Sequence, residues 1–167
     1  MPVPNHKKEI DDHLFQILDQ TYGRQAVGPD QNKYSVVRHY RPLTQTNIQD
    51  LVKSRVNASR GTYIITRVSR QANSKQMMKQ KYEVDYRLSI FMGTSGIRES
   101  QSIDEDQILY EMDRDLMAVL IESPIELTGN PVIGIQVADD SQVFTEDEYL
   151  FQSLIITIKA SLKNVPS

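Results

Sequence analysis

The chain has 167 residues, of which 39% are hydrophobic and 25% are charged, the proportions of an ordinary globular protein. This length fits one domain, residues 1–167. A net charge of −3 argues against a general nucleic-acid-binding protein, and the lack of cysteine excludes disulfides, thiolate metal sites and thiol catalysis. The N-terminus has no signal-like apolar core and no apolar run could cross a bilayer, so we expect a protein of the cytoplasm without membrane contact.

The first third of the chain combines helical and strand patterns. Apolar residues recur at helical spacing in residues 7–22, and Gly23 can end this helix. The next segments predict, in order, a turn at 28–33, a short strand at 34–40, a second helix at 44–57 and a strand at 62–68.

Residues 81–92 (KYEVDYRLSIFM) carry the clearest strand signal of the chain. Apolar side chains at even positions alternate with mostly charged ones at odd positions, which predicts a strand buried on one face. The polar residues 69–80 separate it from the strand at 62–68. The two strands therefore predict a β-hairpin whose residues 67–81 form an extended basic loop.

A third helix is marked by a capping box, Ser102 and Glu105, and by acidic residues in its first turn. It should end at Ser123-Pro124. A loop at 124–131 follows, then strands at 132–138 and 150–162 joined by an acidic link at 139–149, and a C-terminal tail at 163–167.

The order α-β-α-β-β-α-β-β predicts an α+β fold, a two-layer sandwich of an antiparallel or mixed β-sheet with helices packed on one face and a long β-hairpin arm. Each layer has one apolar face that cannot stay exposed. We therefore expect the strand residues to pack beneath the third helix, Tyr82, Val84, Leu88 and Ile90 against Ile108, Met112 and Leu116.

Motifs for catalysis or ligand binding are missing from the sequence. It has no phosphate-binding loop, dinucleotide fingerprint, nucleophile elbow or calcium loop. Glu9 and His13 are four residues apart on the first helix, a spacing more typical of a solvated surface pair than of a metal site, and His39 reads as a surface or satisfied residue. The acidic clusters leave a metal-dependent hydrolase as a minor alternative. We expect no enzyme, no cofactor and no bound metal.

The layout of charge is the more informative feature. Residues 67–81 carry five bases and no acid, whereas residues 139–148 carry five acids and no base. Either segment alone would be taken for a solvated loop, but both on a near-neutral chain suggest complementary patches that steer association. Contacts between different faces of one chain repeat into rings or filaments. The candidate interface residues are Arg67, Arg70, Lys75, Lys79, Lys81, Asp139, Asp140, Glu146, Asp147 and Glu148.

The order of elements resembles the tail-terminator and tail-completion proteins of tailed bacteriophages, of the minor tail protein U type. The resemblance is carried by residues 7–22, 62–92, 103–121 and 132–162, and the helical pattern at 44–57 departs from it. It implies a virion protein, assembled in the host cytoplasm, that forms a hexameric ring at the head-proximal end of the tail. Its implied partners are other copies of itself, the tail tube (and the sheath of a contractile tail) and the head–tail connector. The basic loop would face DNA in the lumen or a neighbouring subunit.

An alternative from another class is a stand-alone cytoplasmic α+β domain that binds a ligand or a protein and forms no ring. Such a domain should be monomeric or dimeric, with one apolar pocket.

Overall fold

A computed structural model describes residues 5–40, 61–70, 75–76, 81–95, 102–129, 131–146 and 149–163. These segments contain two α-helices, α1 (His6–Tyr22) and α2 (Ser102–Glu122). A 3₁₀ turn, Gly28–Asp30, precedes the first strand. The strands are β1 (Tyr34–Arg38), β2 (Gly61–Ile65), β3 (Ser69–Arg70), β4 (Lys75–Gln76), β5 (Lys81–Ser95), β6 (Val132–Glu146) and β7 (Tyr149–Lys163). The helix predicted at 44–57 lies outside the described residues.

The strands form one mixed sheet in the order β1-β2-β5-β7-β6. β1 and β2 are parallel, and all other pairs are antiparallel. β3 and β4 also pair with β5, nearer its N-terminal end than β2 does. The predicted α+β fold with a mixed sheet and helices packed against it is therefore confirmed.

The core lies between the helices and one face of the sheet. Val84, Leu88 and Ile90 of β5 belong to the same buried cluster as Met112 and Leu116 of α2, as the alternating pattern predicted. The cluster also takes in the inward residues of α1 and of β7, Ile10, Leu14, Leu18, Leu154, Ile156 and Ile158. The side chain of Tyr82 is not among the described ones.

A polar network joins the start of β1 to α2. The Tyr34 hydroxyl donates to Asp115 Oδ2 at 2.7 Å, and Lys33 Nζ lies 3.1 Å from the same oxygen and 2.9 Å from Glu111 Oε1. Burial lowers the pKa of Lys33, but hydrogen bonds to Glu111 and Asp115 outweigh it, so the pKa lies above its ordinary value. The Tyr63 hydroxyl donates to the carbonyl of Met112 at 2.5 Å. These contacts hold α2 in place over β1 and β2.

Two segments predicted as loops are partly strands. The polar loop at 69–80 contains β3 and β4, and most of the acidic link at 139–149 belongs to β6 and to the start of β7. The physical reason is that β5 and β7 are fifteen-residue strands whose backbone groups offer hydrogen bonds to whatever chain lies alongside. Pairing of this kind needs no apolar side chain, so polar segments can join the sheet.

Candidate assembly surfaces

The basic segment runs along one end of β5. Arg67 lies between β2 and β3, Arg70 lies in β3 opposite Tyr86, and both are exposed. Lys75 lies in β4 opposite Glu83.

Lys81 is the first residue of β5 and pairs with Lys163 of β7. Lys79 lies outside the described residues. The described strand residues of the predicted basic loop, Ser69–Arg70 and Lys75–Gln76, thus pair with β5 rather than forming a free arm.

The acidic segment lies in β6, the strand at the far end of the sheet order. Asp139 pairs with Leu154 of β7, Asp140 with Ser153, and Glu146, the last residue of β6, with Tyr149. Asp139 is exposed.

Gln152 Nε2 donates to Asp139 Oδ1 at 3.5 Å. The acidic residues Asp147 and Glu148 are not among the described residues. The described acidic residues therefore belong to the last strand of the described sheet, not to the connecting loop that their composition suggested.

The two charged segments lie at diagonally opposite corners of the sheet. Along β5, Lys75 is level with Glu83, whereas Glu146 is level with Ser95 through Tyr149 of β7. At about 3.4 Å per residue, twelve residues along β5 amount to roughly 40 Å. Three strand spacings across the sheet add about 14 Å in the other direction. These two positions are thus far beyond the reach of an ion pair within one chain.

The separation shrinks toward the middle of the sheet but does not close. Arg70 is level with Tyr86, and Asp139 is level with Ile90 through Leu154. Four residues along β5 and three strand spacings across leave roughly 20 Å between the two backbones. Arg67 is nearer, because it lies between Thr66, whose N–H bonds to Ser89, and Ser69, which is level with Arg87, but three strand spacings still leave about 14 Å between its backbone and that of Asp139. Within one chain the described bases of the basic segment therefore do not reach the described acids of β6.

Asp113 of α2 adds negative charge beside the acidic strand. Burial raises the pKa of its carboxyl, and the charge of Asp139 raises it further. Two carboxylates held near each other favour protonation of one of them. Asp113 and Asp139 therefore repel each other and add to the negative charge on this side of the molecule.

A cleft of about 680 Å³ lies between α1 and β1. Its lining residues are Phe15, Asp19, Arg24, Gln25, Val36, Val37 and Arg38. They come from a helix, the turn that follows it and a strand, so no local pattern in the sequence could have gathered them.

Ionic and aromatic contacts fix one end of this cleft. The Arg38 guanidinium lies 4.1 Å from the centre of the Phe15 ring, and its Nη1 lies 3.0 Å from Asp12 Oδ1 and 3.3 Å from Asp11 Oδ2. The Tyr40 hydroxyl also donates to Asp11 Oδ2. Arg38 is thus held against α1 and forms a rigid wall of the cleft.

The other end is formed where α1 stops. Asp19 is buried, and its Oδ1 accepts the backbone N–H of Arg24 at 3.0 Å. Arg24 itself is exposed. Asp12 and Asp19 are seven residues apart on α1, so the two ends of the cleft lie about 10 Å apart along the helix.

The outer face of α2 carries an exposed stripe. Tyr110 is 72% exposed and Ile121 75% exposed, and Met117 and Arg114 lie between them on the same face. The spacing of four, three and four residues places all four side chains in one row. The sequence pattern indicated the buried face of this helix; the exposed row was not predicted, although its spacing is visible in the sequence.

The histidines do not form the sites considered from the sequence. His13 Nε2 lies 2.8 Å from the carbonyl of Ser123, and Glu9 contacts His6 and Thr128 instead. His13 is half-buried, so the interpretation of a solvated Glu9–His13 pair is wrong.

His39 differs from expectation as well, because its Nε2 is buried and has no hydrogen-bond partner among the described residues. Among the described residues, no three His, Asp or Glu side chains are grouped as metal ligands would be. Within the same residues, no helix is long and apolar enough to cross a membrane.

No protein-family model matches this chain, and a search of curated proteins found no match to it.

Proposed function

We propose that this protein is a structural component of a bacteriophage tail, in which copies of the chain associate head to tail into a closed ring. The ring, hexameric in the form that the resemblance implies, would cap the tail tube, end tail polymerisation and join the tail to the head connector. The proposal involves no catalysis and no cofactor.

The observation that carries this proposal is the placement of opposite charges at diagonal corners of one sheet. Charges that cannot meet within a chain are available to meet other molecules. A contact between two different surfaces of identical chains leaves both surfaces open at the ends, so it continues until a ring closes or a filament grows. The layout thus favours a repeating assembly over a two-fold dimer.

Charge alone would not hold such a ring together. Exposed ion pairs contribute about 0–1 kcal/mol each, so the charged corners would set the register and the rate of encounter. Affinity would come from apolar surface, for which the row Tyr110, Met117 and Ile121 is a candidate. Aromatic residues, methionine and arginine are enriched in protein interfaces.

The stand-alone binding domain remains a second candidate because of the cleft between α1 and β1. Its volume of about 680 Å³ is in the range of small-molecule sites. A domain of this kind would bind its ligand as a monomer or dimer, and it would lose nothing when the charged corners are altered.

The test is the assembly state of the purified chain, by native mass spectrometry and negative-stain electron microscopy. We expect annular particles of one defined stoichiometry. Raising the salt concentration during assembly should slow ring formation more than it dissolves finished rings, because screening acts on encounter between exposed charges. A chain that is only monomeric or dimeric at all concentrations, with no ring on tail tubes either, would refute the proposal.

A second test addresses the basic segment in the particle. Reversal of Lys75, Lys79 and Lys81 to Glu should impair tail completion, while the circular dichroism spectrum and melting temperature of the purified variant stay near native. Reversal of Lys7 and Lys8, which are exposed at the start of α1, is the matched control. Normal tails from the triple variant would show that the basic segment has no role in assembly.

A further inference from the structure

The outer edge of β1 directs backbone groups toward the cleft, where no strand of the described residues pairs with them. The N–H of His39 donates to the carbonyl of Ile65 in β2 at 2.9 Å. In a parallel pair, alternate residues direct both backbone groups to the same neighbour, so Val37 also faces β2 while Val36 and Arg38 face away from it. β1 is the last strand of the sheet on this side among the described residues. The backbone of Val36 and Arg38 thus points into the cleft that their side chains help to line.

β6 is the last strand at the opposite end of the described sheet. Between two irregularities, at Val132/Gly134 and Asp140/Val143, it is a regular strand of seven residues. Its side chains Ile135 and Val137 lie on the helix side of the sheet but are only partly buried. The helices contact β1, β2 and β5 most closely, so the helix layer leaves β6 incompletely covered.

We propose that β6 of one copy pairs with β1 of the next copy, as an added strand seated in the cleft beneath α1. This inference rests on the proposed self-association and specifies its contact. A head-to-tail repeat keeps the strand directions of every copy. Because β6 runs opposite to β1 within one chain, the new pair would be antiparallel.

The cleft also indicates the register. Arg24 lies at the end of the cleft near the start of β1 and carries no acidic partner among the described ion pairs. Placing Val137 opposite Val36 brings Asp139 to that end, beside Arg24. It also places Ile135 opposite Arg38, and all of these β6 side chains lie on the helix side.

The added strand would complete the coverage of both edges. The partly exposed Ile135 and Val137 of one copy would lie under Phe15 of the next, which is itself only partly buried. The Asp139 carboxylate of one copy would meet Arg24 of the next, and the edge backbone of both strands would gain hydrogen bonds. In this arrangement the acidic strand of one copy meets Arg24 of the next rather than its basic segment 67–81, and the basic segment would contact a tail protein or DNA.

Cysteine cross-linking tests the register directly, because the chain has no cysteine of its own. In this register Val37 lies opposite Gln136, at a position where antiparallel Cα atoms are about 4.5 Å apart, within the range of a disulfide. Within one chain the same two residues are four strand spacings apart, about 19 Å, which no disulfide can bridge. The double variant V37C/Q136C should therefore form a ladder of covalent oligomers on a non-reducing gel.

The control variant V37C/E126C keeps one cysteine and moves the other to an exposed loop position. It should give no ladder. Melting temperatures near that of the native chain would show that the substitutions leave the fold intact.

Charge reversal at exposed positions provides a second route that leaves the core untouched. R24E and D139K should each weaken self-association on the order of tenfold, and the combination R24E/D139K should recover most of the loss. E126K is the control and should have no effect.

The outcomes separate this inference from the proposed function. Rings without a V37C/Q136C ladder, or rings indifferent to both charge reversals, would overturn the pairing of β1 with β6 and leave the ring proposal standing. A ladder from a protein that forms no ring and is absent from tails would support the strand pairing and refute the tail function. A chain that neither associates nor cross-links would overturn the inference.

Discussion

Substitution of Gly61 by alanine tests how tightly α2 is seated on the sheet. A Cβ at Gly61 would lie 2.5 Å from Met112 Sδ, closer than packed atoms can approach, and 3.1 Å from its Cε, a tight contact. Met112 is fully buried, so its thioether can retreat only by displacing packed neighbours. Overpacking costs about 1–3 kcal/mol, and the lower chain entropy of alanine in the unfolded state offsets about 0.4–1 kcal/mol of it. We expect G61A to lower the free energy of unfolding by about 1–2 kcal/mol.

A double-mutant cycle identifies the cause. M112A alone should cost about 2–5 kcal/mol because it leaves a cavity. In that background the clash with Met112 is gone and the Cβ of G61A keeps only its 3.2 Å approach to the Gly93 carbonyl oxygen, which the lower chain entropy of alanine offsets, so its further cost should fall close to zero. The free energies of unfolding of the native chain, G61A, M112A and G61A/M112A are measured from urea unfolding midpoints, with the m-value unchanged among them.

Gly134 is the matched control, because a Cβ there would meet no atom within 4 Å. G134A should therefore show the entropy gain alone and raise the free energy of unfolding by up to about 1 kcal/mol. An equal cost of G61A with and without the Met112 side chain would refute this account of the contact between α2 and β2.

Three further changes test the network and the core. D113N should raise the melting temperature at pH 7, because burial and the charge of Asp139 raise the pKa of the Asp113 carboxyl. With this raised pKa the folded chain binds more protons than the unfolded one, so the stability of the native protein falls as the pH rises. The gain from D113N should therefore vanish near pH 3, where the carboxyl is protonated in both states. A gain that persists at pH 3 would exclude this electrostatic origin. Y34F should lower the free energy of unfolding by about 1–2 kcal/mol in chemical denaturation, since it removes the buried hydroxyl that donates a hydrogen bond to Asp115. An unchanged free energy of unfolding would mean that this bond contributes nothing to stability. L88D should abolish the folded circular dichroism signal, since the side chain is 2% exposed and an unpaired carboxylate there costs several kcal/mol; a native melting curve would contradict the packing of β5.

The sequence alone determined the features that depend on local side-chain periodicity. The alternation in β5 predicted which residues face the core, and Leu88 and Ile90 are buried as expected. The apolar row of α2 predicted the burial of Met112 and Leu116, and the helix ends next to Ser123-Pro124. These features could be predicted because the side chains on the buried face recur in the sequence with the period of the helix or of the strand.

Only the tertiary structure decided which strands are neighbours and what lies at their edges. The polar residues Ser69–Arg70 and the acidic residues of β6 became strands because β5 and β7 lie alongside them, and backbone hydrogen bonds do not depend on side-chain type. The parallel pairing of β1 with β2 and the cleft with Arg24 and Arg38 likewise join segments that are distant in the chain. The residues of a strand indicate which of its faces is buried, but its partner strand and register depend on the rest of the sheet.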